Sequence, residues 1–207
     1  MSFLEHLISF MHVPPADDHP AELTGLRERV ELYGNPGLTR GDADPVWVKR
    51  NIVEFHGSQA LPGIPPKFYF QTHRLVVPHL RRALERAQRE CPEYVIGRAA
   101  SFVFRRQRHD TPAQAAKEKR KLRPLSEHAW GLAVDIDPYD DADRPLNGAK
   151  TFARGKYPEP WGPAWMKLWP KGLPQAFVAA FEAEGWGWGG RWQKYCDPMH
   201  FSWSRRP

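Results

Sequence analysis

Two short stretches concentrate side chains able to hold a metal ion: Ser126-Glu-His128-Ala-Trp-Gly131-Leu-Ala-Val-Asp135 and Asp197-Pro-Met-His200-Phe-Ser-Trp203. Two imidazoles and one carboxylate, from His128, Asp135 and His200, suit a catalytic zinc, because three protein ligands leave the fourth tetrahedral position open for water. The spacing restricts how they can meet. Residues seven apart lie about 10 Å from each other along a straight helix, and more than about 20 Å apart, on opposite faces, along a straight strand. Neither geometry brings His128 and Asp135 to one ion with bonds of about 2 Å. The chain must fold back between them, and Gly131 supplies the freedom to do so. Asp135 then projects from a strand whose Val134 and Ile136 face a core. This differs from the helical His-Glu-x-x-His arrangement, in which both histidines lie one turn apart.

In the second stretch, strand alternation puts His200 and Ser202 on one side and Phe201 and Trp203 on the other. Asp197 stands three residues before His200 with Pro198 in the intervening turn, close enough to lie near the ion without ligating it. That is the place for a general base that takes a proton from attacking water. Cys196 beside it has no His or Asn pattern to make it a nucleophile. With Cys91 it is read as one of two unpaired thiols rather than half of a disulfide. Histidines 6, 12, 19, 56, 73, 79 and 109 show no ligand spacing, and of these His109 is the one expected near the site.

Together, SEHAWGLAVDID and CDPMHFSW resemble the M15 family of zinc peptidases, which comprises D-alanyl-D-alanine carboxypeptidases and dipeptidases and the L-alanyl-D-glutamate endopeptidases of phage endolysins. The family pattern SxHxxGxAxD, followed later by an acid, two residues and a His, is met at Ser126, His128, Gly131, Ala133, Asp135 and His200. Asp197 in place of Glu, the preceding run Gly-Trp-Gly-Trp-Gly-Gly and the HFSW ending resemble the endolysin branch. The resemblance covers roughly residues 65–203 and implies a Zn2+ cofactor, a peptidoglycan stem peptide as substrate and cleavage of the L-Ala–D-Glu bond. D-Ala–D-Ala carboxypeptidase activity and a non-catalytic, zinc-stabilised wall-binding module are the alternatives. It also implies an upstream arginine that steadies the substrate carbonyl or its oxyanion. Ser101-Phe-Val-Phe-Arg105-Arg106 resembles that segment; Arg105 is preferred, with Arg106 its rival because alternation lets one of the two face the metal. Ser126, Trp188 and Trp192 are the expected substrate contacts, although packing around the strands competes for the tryptophans. Arg191 departs from the acid that relatives often carry there, which bears on substrate preference.

The elements that must position these residues read as α+β, a small antiparallel sheet carrying the zinc site with flanking helices, in the hedgehog/DD-peptidase-like manner. Helices are expected over 3–11, 21–33, 72–90 and 173–184, and strands over 46–55, within 94–104, around Val134–Ile136 and over 200–203. The segment 138–172, rich in Pro, Gly and Trp, reads as a long connection. Trp161, Trp165 and Trp169 within it fall at helical spacing and suggest packing. Residues 1–45 are read as an N-terminal extension packed on the domain, and 46–207 as the peptidase domain. With 207 residues and 41% hydrophobic content a sizeable core can form. The net charge of +6 favours polyanions, but no nucleic-acid-binding motif accompanies it. The basic run from Lys117 to Arg123 is either a solvated face or a border to an anionic substrate. Met1–His6 lacks a basic n-region and no apolar run approaches a membrane span. A monomer is expected, made without a standard signal peptide, not inserted in membrane, and reaching the wall by release or specialised export.

Overall fold

The computed structural model describes residues 25–38, 41–56, 69–138 and 146–203, so the helix expected over 3–11 lies outside the described residues. Among the described residues the first helix is α1 (Leu26–Tyr33), which closes at Gly34. Residues 46–51, expected as the start of a strand, are instead helical in α2 (Pro45–Asn51). The cause is local. The Asp44 carboxylate accepts from the backbone N–H of Val46 and Trp47, and Pro45 occupies the first turn, where its missing N–H costs nothing. These capping groups outweigh the β-branched pattern, which resumes only in β1 (Ile52–His56).

Strand β1 pairs antiparallel with β2 (Tyr69–His73), Ile52 opposite His73. The helix expected from residue 72 therefore starts later, as α3 (Val77–Glu90), after a turn over 74–76. Its Leu80, Ala83, Leu84 and Ala87 are buried as a helical stripe. The strands expected within 94–104 shrink to β3 (Ala99–Ala100). Beyond it the extended chain bonds to two different elements, Phe102 N–H to Gln71 O and Val103 N–H to His128 O, so no continuous ladder forms. The basic run begins in a short helix, α4 (Pro112–Lys117), capped by Thr111.

Strand β4 (Ala133–Ile136) is central. The long connection after it contains β5 (Lys150–Thr151) and α5 (Pro163–Leu168). Then come α6 (Gln175–Ala183), β6 (Gly187–Trp188), β7 (Tyr195–Cys196) and β8 (His200–Ser202). A four-stranded antiparallel sheet runs β3-β4-β8-β6, and β5 pairs separately with β7. The fold is α+β.

Helices α3 and α6 lie against one face of that sheet. Phe181 packs on Phe201 with ring centroids 4.4 Å apart, Phe177 packs on Phe181, and Trp186 meets Trp203 edge-on. Each such ring removed from water stabilises the fold by about 1.5–3 kcal/mol. A second aromatic block, in which Trp165 meets Trp169 at 4.2 Å and Trp161 stacks on Trp188 at 5.0 Å, buttresses β6. Trp165 lies in α5, but Trp161 precedes that helix with a left-handed backbone, so the helical spacing of the three tryptophans is only partly helix. No helix among the described residues is long and apolar enough to cross a membrane.

Candidate metal centre

The first stretch folds back as the spacing requires. Ser126 precedes a tight 3-10 turn over Glu127–Trp130, which ends at Gly131 with φ 67° and ψ 28°. A Cβ on Gly131 would sit 2.6 Å from the His73 backbone nitrogen and 2.8 Å from Ile52 Cδ1. Glycine is thus required both for the left-handed turn and for the close approach of β2. That strand grips the turn, since Gly131 O accepts from His73 N–H at 3.0 Å and from the Thr72 hydroxyl at 2.6 Å. From the other side Arg29 of α1 donates to Glu127 at 3.2 Å, with side chains only 5% and 8% exposed. Its guanidinium lies over the Trp130 ring, and Trp130 Nε1–H donates to Gly34 O.

Asp135 and His200 sit directly opposite each other on β4 and β8. Their shared register puts both side chains on the face away from α3 and α6, while Val134 and Phe201 enter the core. His128 Nε2 stands 3.2 Å from His200 Nδ1 and 3.2 Å from Asp135 Oδ1, and His200 Nδ1 stands 3.0 Å from the same oxygen. A tetrahedral zinc with bonds of about 2.0–2.1 Å sets its ligand atoms about 3.3 Å apart. The triangle therefore fits such an ion. His128 Nδ1–H donates to Ser101 O at 2.6 Å, which fixes the ring and leaves Nε2 with a lone pair toward the triangle. Burial disfavours charge on Asp135, but the facing His128 and His200 rings outweigh it and hold the carboxyl well below the usual range.

Asp197 is near this group but outside the triangle. Its carbonyl accepts from His200 N–H at 3.1 Å and its N–H donates to Gly189 O at 3.0 Å. The turn is pinned further by Trp188 Nε1–H on Pro198 O at 2.7 Å. Gly189 is required here, because a Cβ would lie 2.6 Å from Asp197 O. Oδ1 of Asp197 is buried with no hydrogen-bond partner among the described residues. Burial pushes this carboxyl up to about 6, against the pull of His200, His128 and Arg105.

Both His200 and Asp197 open on a cleft of about 810 Å³. Ser126, Trp188, Trp192 and Arg105 also line it. Trp192 brings its ring to 5.2 Å from His200. Trp188 is 3% exposed and mostly packs on the aromatic block, so little of its surface faces the cleft. Trp186 is buried in the core. Arg105 lines the cleft, whereas Arg106 turns away and donates to Arg123 O at 2.8 Å. Arg191, at the cleft wall, is held by both oxygens of Glu182 at 2.5 and 2.7 Å. His109 lies in the same cleft.

Residues missed from the sequence include Arg29 and Glu127, which are 98 positions apart and carry no local signal of pairing. Arg108 was likewise unmarked; it lines the cleft with its guanidinium 4.2 Å from the Tyr195 ring centroid.

Residues 119–203, which contain the triangle and Asp197, match the family model described as D-alanyl-D-alanine carboxypeptidase. No curated protein and no solved structure matches the chain.

Proposed function

We propose that the chain, whose residues 119–203 match an M15 peptidase family model, is a zinc metallopeptidase that hydrolyses peptidoglycan stem peptides at the L-Ala–D-Glu bond. The observation that carries this reading is the triangle of His128 Nε2, Asp135 Oδ1 and His200 Nδ1, with edges of 3.0–3.2 Å beside an unpartnered carboxylate in a cleft. Two imidazoles and a carboxylate are a donor set suited to zinc, with one position left open. Zinc, when bound there, supplies Lewis acidity that makes water nucleophilic near neutral pH and polarises a carbonyl.

The protein's own groups divide the remaining work. Asp197, raised toward neutrality by burial, accepts the proton of the attacking water at Oδ1 and returns it to the leaving amine nitrogen as the C–N bond breaks. Arg105 donates to the oxygen on which negative charge develops. Ser101 O holds His128 in the tautomer that presents Nε2 to the ion. Trp192 and Ser126 supply cleft surface for the peptide.

Purified muropeptides digested with the zinc-loaded protein, with fragments identified by mass, test the assignment. Separation of L-Ala from D-Glu is expected. Release of terminal D-Ala alone would instead establish the carboxypeptidase alternative, which the description of the matching family favours. Hydrolysis of neither bond would leave a wall-binding module, a reading against which the retained Asp197 argues.

A further inference from the structure

The cleft's cationic side chains are unequally committed. Of the arginines lining it, Arg191 is held by Glu182; off the cleft wall, Arg106 is held by the Arg123 carbonyl and Arg120 by Asp110 and Glu118. Arg105 and Arg108 line the cleft without a carboxylate partner among the described residues. They stand in different places. The Arg105 carbonyl accepts from Ser126 N–H, beside the turn that carries His128. Arg108 reaches instead to Tyr195 of β7, two residues before Asp197, and its guanidinium lies over that ring at 4.2 Å.

A guanidinium seated on an aromatic face uses its π surface for that contact. Its in-plane N–H edges stay available, and those edges grip a carboxylate in two-pronged fashion. The ring also fixes the plane of the fork, so less freedom is lost when an anion arrives. The backbone is shaped to present this side chain. Arg108 has φ 55° and ψ 32° and His109 has φ 51°, two successive left-handed residues neither of which is glycine. The turn is braced by buried Asp110, which accepts from both terminal nitrogens of Arg120 and from Arg123 N–H. An ordinary solvated arginine needs none of this, and strain maintained by dedicated bracing marks a functional position. Exposed Lys194 adds positive charge to the same wall.

We propose that Arg108, propped on Tyr195, is a specificity residue that reads a free carboxylate of the substrate next to the scissile bond. The proposal rests on the peptidase reading of the cleft. The carboxylate belongs either to the α-carboxyl of D-Glu or to the C-terminal carboxyl of the stem peptide, and both present the same planar anion.

Three synthetic stem peptides separate these sources: one with every carboxylate free, one with the D-Glu α-carboxyl as carboxamide, and one with a C-terminal carboxamide. With the full zinc-loaded chain, kcat/KM is expected to fall tenfold or more for one of the two amides, through KM. Arg108→Gln should lose that preference, bringing the ratio of acid to amide near one. Arg108→Lys should retain an intermediate ratio, because it keeps the charge and loses the fork. Equal handling of all three peptides by the wild type, or an undiminished preference in both variants, overturns the proposal. If the wild type cleaves none of them, the peptidase reading fails by itself, and calorimetric binding of the same peptides then decides. Weaker binding of one amide by the wild type but not by Arg108→Gln upholds the carboxylate site, and equal binding removes it.

Discussion

Replacing Arg29 by Met tests whether α1 supports the metal-binding turn. The substitution keeps a long apolar stem under Trp130 but leaves Glu127 without its arginine, in a place where its side chain is 8% exposed. Breaking a buried ion pair from one side costs as much as about 3–5 kcal/mol, and less where the remaining group keeps other interactions, as Glu127 does. Domains of this size are stable by about 5–15 kcal/mol in total, so the urea midpoint should drop markedly with little change in slope. Arg29→Met combined with Glu127→Leu removes both charges and should recover most of the loss, to within about 1 kcal/mol of wild type, as apolar replacements of buried pairs generally do. Urea denaturation of the four proteins of this cycle, each saturated with zinc, is the assay. A loss below about 1 kcal/mol in the single variant, or a double variant as unstable as the single, would refute the claim that the pair holds the turn.

Asp197→Asn should lower kcat by about 10²–10⁴-fold while zinc content by atomic absorption stays near one per chain, since the residue is outside the triangle; coincident loss of metal and activity would contradict the role. Gly131→Ala meets both a left-handed φ and the His73 nitrogen at 2.6 Å, so thermal unfolding should show a loss of about 2 kcal/mol or more. His73 is buried, and burial together with the Arg74 charge lowers its pKa to about 4. The unfolded chain then takes up this proton before the folded one does. The stabilisation from keeping the ring neutral is whole above about pH 6.5 and declines as pH falls toward 4, by about 3 kcal/mol in all. His73→Gln should flatten that part of the stability–pH curve, and an identical curve would dismiss the residue as its source. Chelation should abolish hydrolysis, readdition of zinc should restore it, and acid should weaken metal binding because both imidazoles must be neutral to ligate.

Much of the site was legible because residue chemistry and spacing admit few solutions. The seven-residue step from His128 to Asp135 demands a fold-back, and the alternation around Asp135 and His200 demands two strands with their ligands on one face. What escaped depends on groups brought together from afar. The pattern over 46–51 looked extended until Asp44 and Pro45 supplied a helix start. The tryptophans at 161, 165 and 169 share a helical period, yet Trp161 lies outside α5 and stacks on Trp188. The choice between Arg105 and Arg106 could not be made from alternation alone, and the distinguishing feature is the bond from Arg106 to Arg123 O. Nothing in local sequence announces the left-handed turn at Arg108, because its bracing comes from Asp110, Arg120 and Arg123.

The rung that sets Asp135 opposite His200 belongs to backbone pairing, whereas the walls around it come from connecting segments near residues 105–109 and 188–197. On the proposed reading, holding the ion and choosing the bond are therefore written largely in separate parts of the chain. Exchanging the wall residues other than Arg105 and Asp197 should redirect the protein to a different peptide linkage while its ion-holding ladder stays as it is. Conversely, a one-residue slip of β8 along β4 would turn His200 to the opposite face, and no rebuilding of the walls could repair it.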